Sequence, residues 1–84
     1  MYYIYTHYHP FITNGTYIGR TNNPANRWKY KAYSYRSNAA LCLCMDTIGG
    51  WDNYHHDIIN TYHTERAMKL AETYWILTKN TLYP

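Results

Sequence analysis

The chain has 84 residues, a net charge of +3, and twelve Tyr, three Trp and one Phe. That length predicts one domain, residues 1–84, with a small core that leans on aromatic rings. No apolar run approaches the roughly 18 residues of a membrane span, and two cysteines two positions apart, Cys42 and Cys44, exclude a disulfide framework.

The charge is unevenly placed. Residues 1–45 hold Arg20, Arg27, Lys29, Lys31 and Arg36 but no acid; Asp46, Asp52, Asp57, Glu65 and Glu72 all follow. A basic segment interleaved with aromatics suits a polyanion, although a solvated helix face gives the same pattern. The free thiols and the absence of a basic, cleavable leader point to a reducing, intracellular compartment, cytoplasmic or nucleoid/nuclear.

In chain order, Met1 to His7 reads as a first strand. His9-Pro10 and Asn14-Gly15 are turn signals, and Phe11-Ile12-Thr13 between them either extends a strand or sits in a longer hairpin loop. Thr16 to Arg20 is the second strand, most simply antiparallel to the first. Asn22 or Asn23 caps a helix opened by Pro24 and running to about Tyr33. Ser34 to Ser37 reads as linker. Asn38 caps a second helix, Ala39 to about Thr47, with Leu41, Cys44 and Met45 inward and Gly49-Gly50 ending it. Tyr54 to Ile59 is the third strand, and Asn60 to His63 a connection. Glu65 to about Thr78 is the last helix, with Ala67, Leu70, Ala71, Tyr74, Trp75 and Leu77 as its apolar arc; residues 81–84 leave it. The fold class is α+β: a small three-stranded antiparallel sheet flanked by helices, in the order β-β-α-α-β-α.

Chemistry concentrates where the second strand meets the first helix. Tyr17, Gly19, Arg20 and Arg27 cluster there, a phosphate-handling set. Glu72 is the acid of the last helix placed to ligate a metal. A zinc site from Cys42, Cys44, His55, His56 and His63 is not expected. C-x-C on a helix splays its sulfurs, and adjacent histidines on a strand face opposite ways.

These residues carry a resemblance. Tyr3-Ile4-Tyr5, then Tyr17-Ile18-Gly19 with eleven residues between, then Arg27 eight residues after the glycine, resemble a GIY-YIG nuclease. Gly50-Trp51-Asp52-Asn53-Tyr54 is similar to a strand entry of phage and homing-type members. Thr64-Glu65-Arg66-Ala67, Glu72 and Tyr74-Trp75-Ile76 are similar to the family's last helix. The resemblance implies a divalent-metal-dependent endonuclease hydrolysing DNA, with Mg²⁺ (or Mn²⁺) on Glu72. Arg27 would clamp the phosphate, and Tyr5 and Tyr17 would line the site and activate water. Gly19 would leave room for close approach. Arg20 would hold a second phosphate oxygen or tune the tyrosines, and Lys29 and Arg36 would bind DNA.

A phenol titrates near pH 10, and Arg20 and Lys31 are expected to lower the tyrosines from there. Two positions depart from the pattern. Lys31 stands where many members carry His or Tyr, and Pro84 where they carry Asn. These departures support an alternative: a catalytically weak or inactive nucleic-acid-binding module of the same fold. The partner is DNA, duplex or branched, read with low sequence specificity and salt-sensitive affinity unless the chain dimerises or works with a separate DNA-binding protein. A viral or mobile origin fits the resemblance.

Overall fold

The computed structural model describes residues 1–79, without the side chains of residues 12–14, 32 and 79; the reading of residues 81–84 and the correspondence at Pro84 lie outside them. Strand β1 (Tyr2–His9) is central, with β2 (Ile12–Thr21) and β3 (His55–Tyr62) antiparallel on either side. Between β2 and β3 lie α1 (Pro24–Arg27), a 3₁₀ turn (Lys31–Tyr35), α2 (Ala39–Thr47) and a second 3₁₀ turn (Trp51–Asn53); α3 (Glu65–Lys79) follows β3. The expected α+β order β-β-α-α-β-α is therefore what the chain adopts. No helix of the described residues is long and apolar enough to cross a membrane.

Successive strand residues point to opposite faces, and β1 feeds two separate cores. Tyr5 joins Tyr17, Tyr35, Leu41, Met45 and Tyr54 beneath α2 and the 3₁₀ turns. Ile4 joins Ile18, Met68 and Ile76 beneath α3.

The hairpin is tighter than its turn signals suggest. β2 begins at Ile12, so the strands meet across Pro10-Phe11, where the Phe11 N–H donates to His9 Nδ1. Asn14-Gly15 lies inside β2. Gly15 is buried there, and its carbonyl accepts the Tyr54 hydroxyl at 2.7 Å. β3 likewise runs on to Tyr62, because Asn60, Thr61 and Tyr62 pair with Ile4, Tyr3 and Tyr2.

Two helical expectations need correction. The first helix does not reach Tyr33: α1 is capped by the Asn23 side chain and stops at Arg27, and Lys31 takes a left-handed φ of 54°. That conformation is uncommon outside glycine. The kink sends Tyr35, read as linker, into the core at 1% exposure. On α3 the buried stripe is Met68, Ala71, Trp75 and Ile76, while Leu70, Tyr74 and Leu77 are exposed. Both arcs recur at helical spacing, and contact with Ile4 and Ile18 selects the first. α2 matches its expected bounds, with Leu41 and Met45 buried and Cys44 half-buried.

Candidate functional site

Strand register brings the rings together. Tyr5 stands opposite Gly19, and His7 opposite both Tyr17 and His56. A Cβ on Gly19 would lie 2.5 Å from Tyr5 Cζ and Oη and 2.7 Å from a Tyr17 ring carbon. The glycine is what lets the Tyr5 phenol cross over β2.

Arg27 enters this cluster from the end of α1. Its Nη1 donates to the Ser34 carbonyl at 3.0 Å, and its guanidinium carbon lies 4.2 Å from the centre of the Tyr35 ring. Burial works against the Arg27 charge, but charge interactions with Tyr5 and then Tyr35, and hydrogen bonding to Tyr5, outweigh it and hold the guanidinium above its ordinary range. A permanently charged, forked donor is thus fixed among phenol oxygens.

The phenols answer differently from the sequence expectation. Burial, reinforced by neighbouring Tyr5, pushes the Tyr17 hydroxyl up rather than down; the cation that opposes the rise is Arg27, not Arg20 or Lys31. Tyr35 is likewise pushed up, by burial and then by Tyr5.

Arg20 cannot tune the tyrosines, because it shares the Ile18 face of β2. There its Nε lies 3.6 Å from Glu72 Oε1. Glu72 sits on the buried stripe of α3 beside Ala71 and Trp75, its side chain 14% exposed. Burial raises its carboxyl above the ordinary range, and Arg20 opposes that rise. Lys31 is exposed and faces Asp52 at 3.8 Å, away from the phenols. Lys29 lies over Tyr30, and Arg36 over Tyr33. With Tyr30 and Tyr33 both 63% exposed, this stretch is a basic, aromatic-studded surface.

The structure therefore sorts the sequence candidates into three groups. Tyr5, Tyr17, Gly19 and Arg27 meet on one face of the sheet. Arg20 and Glu72 meet on the other, and the C-terminal end of edge strand β2 carries members of both sets. Lys29, Lys31 and Arg36 lie on the surface segment that follows α1.

Sequence reasoning missed the groups behind the tyrosines. His7 is fully buried; its Nε2 lies 2.7 Å from the Tyr35 hydroxyl, which lies 3.0 Å from the Tyr5 hydroxyl. His7 Nδ1 lies 2.8 Å from His56 Nδ1, and His56 Nε2 lies 2.7 Å from the Trp51 carbonyl. Trp51 stacks on His56 with ring centres 3.8 Å apart, and Trp28 lies 5.5 Å from His7. The one signal available was that His7 follows Tyr5 by two residues on a strand, hence on the same face.

A family model described as the GIY-YIG catalytic domain matches residues 1–83. Comparison with curated proteins and with solved structures returns no significant match. Domains of this family are nucleases that act in general on DNA. The match spans both faces of the sheet and every element that carries the site, and the chain belongs to the GIY-YIG catalytic domain family.

Proposed function

We propose that the protein is a divalent-metal-dependent endonuclease that hydrolyses DNA phosphodiester bonds, nicking or cleaving duplex or branched substrates. The observation that carries this reading is the Arg27 guanidinium fixed in the tyrosine cluster, 4.2 Å from the Tyr35 ring centre and in charge interaction with Tyr5 and Tyr17. Such a cation stabilises the charge that builds on a phosphate during attack, and its preorganisation costs nothing at the moment of reaction. Tyr5 and Tyr17 orient the attacking water. Lys29, Arg36 and the exposed rings of Tyr30 and Tyr33 hold the flanking strand by charge and stacking.

The donor chemistry fits a hard divalent ion. Glu72 offers carboxylate oxygens whose neighbouring cation, Arg20, is loosely held at 3.6 Å, whereas Glu65 is engaged by Lys69 at 3.0 Å and Asp52 faces Lys31. Mg²⁺ takes few protein carboxylates and keeps waters, and Mn²⁺ accepts the same oxygen ligands. Bound to Glu72, such an ion would polarise the phosphate and acidify a coordinated water. Binding through this basic, aromatic surface is charge-driven, so affinity falls with salt.

One observation favours a second reading, a binding module with a weak or silent site. Tyr5 and Tyr17 are only 1% and 4% exposed. A plasmid-nicking assay with Mg²⁺ or Mn²⁺ separates the two. Wild type should nick, Arg27→Ala should lose about 10²–10³ in rate, and Glu72→Ala should abolish the metal dependence. DNA binding without metal-dependent nicking would select the second reading.

A further inference from the structure

With both imidazoles neutral, the polar atoms behind the tyrosines share their protons in one order only. His56 Nε2 faces the Trp51 carbonyl, which only accepts, so His56 carries its proton on Nε2. Burial holds both imidazoles below the ordinary range, His7 down to about 3 with help from His56 and Arg27, so each is neutral and bears a single ring proton. His56 Nδ1 is then bare, and the 2.8 Å contact requires the His7 proton on Nδ1. His7 Nε2 is bare in turn, so the Tyr35 hydroxyl donates to it at 2.7 Å. A phenol has one proton, already given to His7, so the 3.0 Å contact between the two hydroxyls is filled in this order by the Tyr5 O–H donating to Tyr35. The opposite sense would set two bare Nδ1 atoms against each other. Tyr17 extends the run: its interaction with Tyr5 favours the protonated phenol, so it donates to Tyr5 and turns its lone pairs to Arg27.

We infer that His7 and His56 are positioning residues which fix the direction of this chain, so that Tyr5 and Tyr17 point their protons inwards and their oxygen lone pairs towards Arg27 and the attacking water. The inference rests on the endonuclease reading above. A hydroxyl rotor left free presents a proton to the water half the time, opposing attack; a rotor held as acceptor draws the water's proton and aims the water's oxygen at phosphorus. The Arg27 guanidinium, a donor only, meets the same lone pairs and reinforces the sense.

Every element around His7 contributes to holding it neutral: Tyr5 on β1, Tyr17 on β2, Arg27 and Trp28 at the end of α1, Tyr35 and Trp51 from the 3₁₀ turns, and His56 on β3. Among these the only permanent charge is that of Arg27, which repels a proton on the ring. The direction of the chain is therefore constant across neutral pH. A histidine four residues after the arginine is missing here, and a histidine from the central strand approaches the tyrosines from behind.

The chain is testable apart from activity. In the full-length protein labelled with ¹⁵N-histidine, ring ¹⁵N–¹H correlation spectra at pH 7 should show His7 as the Nδ1–H tautomer and His56 as the Nε2–H tautomer. His7 found as Nε2–H, or charged, overturns the inference whether or not the protein nicks DNA. Activity supplies the second arm. Tyr35→Phe cuts the chain with little change in volume and should lower the metal-dependent nicking rate about 10- to 100-fold, leaving the DNA Kd unchanged and altering the pH profile of the rate. Tyr54→Phe removes a buried hydroxyl outside the chain and should cost stability alone. Equal rate losses in the two variants would reduce Tyr35 to a packing role and overturn the inference. A wild type that binds DNA without nicking refutes the endonuclease reading, and with it the catalytic use of the chain, while the tautomers still report whether the chain exists.

Discussion

The two faces of the sheet are built from different chemistry. Under α3 the core is aliphatic, with Ile4, Ile18, Met68 and Ile76, and its charged group is a carboxylate tethered to an arginine at the margin. Under α2 it is aromatic and threaded with hydroxyls and imidazoles from Tyr5 to Trp51. The first face is packed chiefly from aliphatic side chains, with the Thr6 hydroxyl as a buried polar group, and is held mainly by volume. The second depends on a run of hydrogen-bonding partners from Tyr5 to Trp51 and leaves the buried Trp28 Nε1 without one. The contrast teaches that β1 separates a stabilising layer from a chemically specified one, and the arginine–phenol set belongs to the specified one.

The contrast can be broken by substitution. The largest expected effect is on the aliphatic side: Ile18→Ala should cost about 2–5 kcal/mol of stability in urea denaturation, since Ile18 is 1% exposed. Acid should act instead through the aromatic side. His7 and His56 titrate below their unfolded value of 6.5, so unfolding takes up protons; stability is complete above pH 6.5 and drains as pH falls towards 3. About 2 kcal/mol should be lost between pH 7 and 4.5. Glu72, held above its ordinary range, contributes the opposite sign at the acid end. A denaturation midpoint flat across that window would show that the imidazoles are not buried neutral.

Gly19→Ala comes next. Its new methyl meets two packed rings that have no free space to retreat into, and about 1–3 kcal/mol of destabilisation is expected by thermal melting. The smallest effect is Arg20→Ala. The pair is loose and Arg20 is 42% exposed, so stability should change by under about 1 kcal/mol, with the Glu72 carboxyl rising further when titrated by ¹³C NMR. A larger loss would move Glu72 from the margin of its face into its core.

What was legible in the sequence was local. Pro24 and the Asn38 cap mark where α1 and α2 begin, Gly49-Gly50 marks where α2 ends, and the β-branched and aromatic residues of 1–7 and 16–20 mark two strands. The set of Tyr5, Tyr17, Gly19 and Arg27 was legible through spacing, because it lies on one hairpin and the turn after it. What could not be read depends on partners distant in sequence. Tyr35 is core because Lys31 adopts a left-handed kink, for which its residue type gives no reason. His7 and His56 meet because of a register between strands that no turn connects. The stripe of α3 that faces inward is chosen by the sheet, and the alternative arc through Leu70, Tyr74 and Leu77 is as apolar.

The central position of β1 also has a consequence for biogenesis. Its pairing with β2 is local and can form as soon as Thr21 is free, but its other edge waits for β3. Until residue 62 has left the ribosome, an apolar and aromatic strand with every alternate backbone group unpaired stands open to any neighbouring chain. The long excursion through α1 and α2 thus sets a window of aggregation risk during synthesis, and it closes with the same docking event that brings His56 to His7.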